Sequence, residues 1–107
     1  MQAGNDGMMV VRAELCDKLD SLQHAAATMT VRDFSQRLAT IRTMAAAYGL
    51  IPVVSVAEAF DRAVRAQPRF CPARLYFDCL RDAIGCERID DQAAETLLAS
   101  VSIQLRA

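Results

Sequence analysis

The chain has 107 residues, 53% of them hydrophobic, with 4 glycines and 3 prolines. That length makes one domain with a core of its own, and so little Gly and Pro excludes a turn-rich β fold and a low-complexity linker. With 12 basic residues against 13 acidic ones the formal charge is −1, which lacks the basic excess usual in a nucleic-acid binder.

In chain order, residues 1–8 are small and polar and read as a flexible N-terminus, leaving 9–107 as a single helical-bundle domain. From about Met9 to Ala27 the apolar residues Val11, Leu15, Leu19, Leu22 and Ala26 recur at helical steps, with Asp6 or Gly7 as the cap. Thr28 and Met29 mark a break. Thr30 then suits an N-cap, with Asp33 in the first turn. Val31, Phe34, Leu38, Ile41, Ala45 and Tyr48 predict a helix over Val31 to Tyr48, closed by Gly49 in the left-handed conformation. A third helix begins at Pro52, or at Ser55 with Glu58 as a capping box, and carries Val53, Ala57, Phe60 and Val64 inward before Gln67 and Pro68 end it. Pro72 opens a fourth, Ala73 to Gly85. Its rows Leu75/Cys79/Cys86 and Phe77/Leu80/Ile84 predict burial on two sides. Asp90 caps a fifth, Asp91 to Arg106, with Ala94, Leu98, Val101 and Leu105 inward. Short turns between amphipathic helices predict an all-α antiparallel bundle.

Chemistry-bearing residues are sparse. His24 is the single histidine, near the end of the first helix, with no partner in the sequence that marks it as nucleophile or ligand. Cys16, Cys71, Cys79 and Cys86 lack C-x-x-C spacing, so reduced, metal-free thiols are expected and no cofactor is. P-loop, HExxH and GxSxG motifs are absent. Arg32, Arg42, Arg62, Arg65, Arg69 and Arg74 read either as a local positive rim or as ordinary solvated helix surface. No secretory leader is legible, and the longest uncharged run, Thr43 to Ala57, is short for a bilayer and broken by Gly49, Pro52 and Ser55. The expectation is a cytoplasmic protein without membrane contact.

The stretch Leu38 to Asp61, LATIRTMAAAYGLIPVVSVAEAFD, resembles the core of histidine-phosphotransfer (HPt) domains. In register, Ala39 stands where that family has its phospho-accepting histidine. Arg42 stands at the basic position, Thr43 at the small one, Ala45 at a packing position and Gly49 at the helix-ending glycine. Val53, Ala57, Phe60 and Asp61 continue the match, which extends from about Glu14 to Val64. The resemblance implies a four-helix bundle with one extra helix, the fourth segment being the extra or an irregular crossing. It also implies a phosphorelay partner. Ala39 has no nucleophile, and the hydroxyls of Thr40 and Thr43 would make poor phosphoryl donors, so no phosphoryl acceptance is expected.

The leading expectation is therefore a degenerate HPt-like module, not an enzyme, that binds a response-regulator receiver domain or a histidine kinase. By helical spacing the docking face is Arg32, Gln36, Ala39, Arg42, Thr43 and Ala46. It would sequester a partner or compete with a true phosphotransfer protein. The alternative is a structural or oligomeric bundle unrelated to phosphorelay, a homodimer in which Tyr76 and Phe77 of the fourth segment bury against a second copy.

Overall fold

A computed structural model describes residues 3–69, 71–86 and 90–106, with side chains described over 7–69, 71–86 and 90–103. Five α-helices account for most of it: α1 (Ala3–Ala25), α2 (Val31–Ala47), α3 (Ile51–Ala66), α4 (Ala73–Gly85) and α5 (Asp91–Arg106), with a single 3₁₀ turn at Ala26–Thr28. No strand occurs among the described residues.

The helix ends follow local chemistry. At the start of α2 the Thr30 hydroxyl accepts the Asp33 N–H at 3.1 Å, satisfying a donor that has no intrahelical partner. At its end Gly49 has φ 71°, its N–H donates to Ala46 O at 3.1 Å, and the Leu50 N–H donates to Ala45 O at 2.9 Å. That pair of bonds is a Schellman motif, and Leu50, 1% exposed, supplies the apolar contact that accompanies it. Pro52 sits in the first turn of α3, so Ser55 lies within the helix and the Ser55/Glu58 capping box is not used. Asp90 caps α5 by accepting the Ala93 N–H at 2.9 Å.

The first helix starts at Ala3 rather than near Met9, and Asp6 and Gly7 fall inside it instead of capping it. Once Leu15, Leu19 and Leu22 anchor the helix in the core, each further turn adds backbone bonds at little cost, and Met8 packs against the core edge. Residues 1 and 2 of the expected flexible segment lie outside the described residues, as does the Leu105 side chain.

Helices α1, α2, α3 and α4 form a closed ring in which each packs on the next and α4 returns to α1; α5 seats on α3 and α4. The extra helix is thus α5, where the fourth segment was expected to take that role. The reason lies in side-chain size. Phe77, Leu80 and Ile84 of α4 are buried in the ring, and Cys79 and Ala83 are buried as well, whereas among the described side chains of α5 the buried ones are Ala93, Ala94 and Val101, with Leu97 and Leu98 half-covered. Among the described residues, Arg81 Nη2 of α4 meets Asp20 Oδ1 of α1 at 2.7 Å, and Arg12 Nη2 of α1 donates at 3.0 Å to the carbonyl oxygen of Cys86, which follows α4.

The centre is aromatic. Phe60 of α3, 0% exposed, meets Phe34 of α2 at 5.2 Å and Phe77 of α4 at 5.0 Å edge-on, and stacks on Tyr76 at 4.9 Å. Of the two residues expected to bury against a second copy, Phe77 is 2% exposed and lies in the chain's own core, while Tyr76 is half-buried against it.

Candidate functional site

Apolar positions Phe34, Leu38, Ile41 and Ala45 turn one face of α2 inward, and the 3.6-residue period sends the positions between them outward. Arg32, Gln36, Ala39, Thr43 and Ala46 are all exposed, and Arg42 is half-buried. The six residues expected on one face therefore do share the solvent side of α2. The Thr40 hydroxyl donates to Gln36 O at 3.2 Å, so it is already engaged within the helix.

Position 39 is a low point in this surface. Its single methyl group borders three depressions. One of about 450 Å³ runs between α2 and α3, lined by Ser35, Ala39, Arg42, Glu58, Asp61, Arg62 and Arg65 among others. A second, also about 450 Å³, is bounded by Val31, Arg32, Ser35, Gln36, Ala39 and Arg65. The third is shallower, over Thr40, Thr43, Met44, Ala47 and Tyr48.

Of the six arginines, Arg32, Arg42, Arg62 and Arg65 border these depressions, beside the carboxylates Glu58 and Asp61. Arg42, Arg62 and Arg65 line one cleft, and Arg32 and Arg65 line the next. Arg69 and Arg74 are exposed and border none of these depressions. Arg65 Nε pairs with Asp61 Oδ2 at 3.0 Å one turn earlier on α3. Arg32, Arg42 and Arg62 have no ion pair or hydrogen bond among the described residues. Sequence reasoning missed Ser35, Glu58 and Asp61 as members of this surface. Their signal was weak: a helical serine on the edge of an apolar stripe, and two carboxylates on a helix that also carries arginines.

Elsewhere the chemistry is quiet. His24 is exposed on α1, with Nδ1 2.8 Å from Asp20 O, apart from the α2 face. The four cysteines are free, and no cluster of three or more metal-ligating side chains occurs among the described residues. Burial, with help from the Asp82 carboxylate, pushes the Cys79 thiol up to about 11, and its Sγ donates to Leu97 O at 3.5 Å. Burial also raises Cys16 and Cys71, so none of these three is tuned toward a thiolate nucleophile. No described helix is long and apolar enough to cross a membrane.

Comparison with known proteins returns no matching family model, no similar curated protein and no similar solved structure.

Proposed function

We propose that this chain is a non-catalytic docking module of HPt-like design, which binds a response-regulator receiver domain, or the histidine kinase that works with it, through the outward face of α2. The observation that supports this reading is the placement of Ala39. It is exposed midway along α2, in the register the sequence resemblance assigns to a phospho-accepting histidine, among small side chains and unpaired arginines. Such a surface admits a partner's loops closely while Arg32 and Arg42 orient an acidic pocket by charge. Receiver domains present an acidic pocket around their aspartate. With no imidazole at position 39, docking occupies the partner without taking its phosphoryl group, and the module competes with phosphotransfer proteins that do.

The double variant Ala39→Arg with Arg42→Glu tests this reading. It fills the low point and reverses the charge without touching the apolar stripe of α2. Titration against a panel of receiver domains is expected to show binding by the native chain and none by the variant, with unchanged helical circular dichroism. Native affinity in the double variant, or no receiver bound by the native chain, would sink the proposal.

A further inference from the structure

On the side of α2 turned away from α3 lies a second face, formed with α1. The turn at Ala26–Thr28 folds α2 back along α1, so the two helices run antiparallel. A groove of about 380 Å³ marks their junction, lined by Asp17, Lys18 and Ser21 of α1 and by Arg37 and Thr40 of α2. Two turns further toward the start of α1 lies Val10, and two turns further along α2 lie Met44 and Ala47, with Tyr48 beyond them. Val10 is 61% exposed and Tyr48 52%. Two large apolar side chains thus share one end of the face, and clustered exposure of this kind marks contact surfaces.

The charges on the two helices are sorted by sign. Glu14, Asp17 and Asp20 are exposed on α1, and Arg32 and Arg37 are exposed on α2. Lys18 and Asp33 are the exceptions, one in each row. Asp20 holds Arg81 of α4, while Glu14, Asp17, Arg32 and Arg37 have no ion pair among the described residues. A carboxylate row and a guanidinium row therefore lie side by side, each with unpaired members.

We infer that this face docks a second copy of the chain, in a closed dimer whose two-fold axis runs parallel to the helices along the α1–α2 groove. That rotation lays α1 of each copy antiparallel on α2 of the other and preserves the height of every residue. The carboxylates of α1 then face the arginines of α2 twice over, with Asp17 against Arg37 of the second copy at the centre. Val10 and Tyr48 of one copy meet Tyr48 and Val10 of the other. The exposed small side chains Ala13, Ser21, Thr40 and Ala47 let the helices approach closely. The other face-to-face two-fold, across the helices, lays α1 on α1 and sets like charges against each other, which disfavours it. The inference is independent of the docking reading, whose central residues Ala39 and Arg42 line the depression toward α3.

Size sets the strength. With 17 residues α2 is about 25 Å long, and two helices side by side span about 20 Å. The face covers about 500 Å² per copy and about 1,000 Å² in the pair, the lower edge of specific interfaces. A reversible, concentration-dependent dimer follows.

Sedimentation equilibrium of the full chain, from about 1 μM to about 500 μM, should show the mass rising from one chain to two and no further. Asp17→Arg and Arg37→Asp should each weaken the dimer at least about tenfold, since the two-fold makes each change act twice. Mixed in equal amounts, the two variants should recover the native affinity, because every central contact across the axis again pairs opposite charges. An effect confined within one chain cannot be rescued by mixing. Val10→Ser, at an exposed position, should weaken the dimer about tenfold through lost apolar contact. Unchanged circular dichroism in the three variants separates lost contact from lost fold. A chain that stays monomeric throughout overturns the inference. So do masses that grow beyond two chains, variants that dimerise like the native chain, or a mixture no better than its components.

Discussion

Two glycines separate backbone strain from packing in this fold. Gly49 has φ 71°, a region where a side chain costs about 1–2 kcal/mol, and a Cβ built there meets no atom within 4 Å. Gly49→Ala therefore introduces no clash, and its whole cost is conformational. Part of that cost returns because alanine narrows the unfolded ensemble, leaving a net loss of about 1 kcal/mol. Gly85 lies at the end of α4 without positive φ, and its Cβ also meets open space. Gly85→Ala should accordingly stabilise by up to about 1 kcal/mol through helix propensity alone. Urea denaturation of both variants, read by circular dichroism, should show midpoints moving in opposite directions with unchanged slope. On heating, the Gly49 variant should melt about 4–8 °C below the native chain. An unmoved or raised midpoint for Gly49→Ala would refute the Schellman closure of α2, and with it the geometry that starts α3 beside the cleft. A loss of well over about 3 kcal/mol would also refute the reasoning, since it demands a clash that open space does not provide.

The aromatic centre makes Phe60→Ala the most damaging single truncation, at about 3–5 kcal/mol, a large share of an ordinary domain's stability; a loss under about 1 kcal/mol in urea would contradict the packing. Cys79 should resist thiol reagents at pH 8 in the native chain and react only on unfolding, because its thiol is held up at about 11 by burial; labelling as fast as an unstructured thiol would contradict that burial. The same shift makes stability fall with rising pH. The native state keeps the Cys79 proton where the unfolded chain, with its ordinary value of 9.0, has lost it. Below pH 9 this contribution is fully present, and it fades as pH climbs toward 11. Cys79→Ala should flatten that alkaline decline in urea midpoints measured across pH 8 to 11.

Most of the fold was legible because its helices announce themselves chemically. Thr30, Gly49, Pro52, Pro72 and Asp90 all stand at or beside helix ends, and the inward stripes of α2 and α3 came from 3.6-residue spacing. Val31 and Tyr48, assigned to the α2 stripe, are exposed, the first at the start of the helix and the second as the residue that caps its end. The N-terminal extension to Ala3 was not legible, since Gly4, Asn5 and Gly7 are poor helix formers and only the anchored turns behind them favour the helix. Nor was the order of packing. Periodicity says that α4 is buried on two sides but not that α5 is the helix lying on its outside. On the α2 face, spacing was sufficient to place Ala39 and the arginines. The cleft itself was not, because it needs Arg62 and Arg65 of α3 to meet Ser35 across the α2–α3 hairpin, a juxtaposition that appears only once the chain folds back.

The docking claim is tested most directly by mapping the contact surface on the native chain. An isotope-labelled sample is titrated with unlabelled receiver domain, and amide shifts are followed residue by residue. The account predicts that the perturbed amides cluster on Arg32, Gln36, Ala39, Arg42, Thr43 and Ala46 and on the facing turn of α3 around Arg62, with α1 and α5 silent. Perturbations centred on α5 or on the outer side of α1, with the α2 face unmoved, would contradict it.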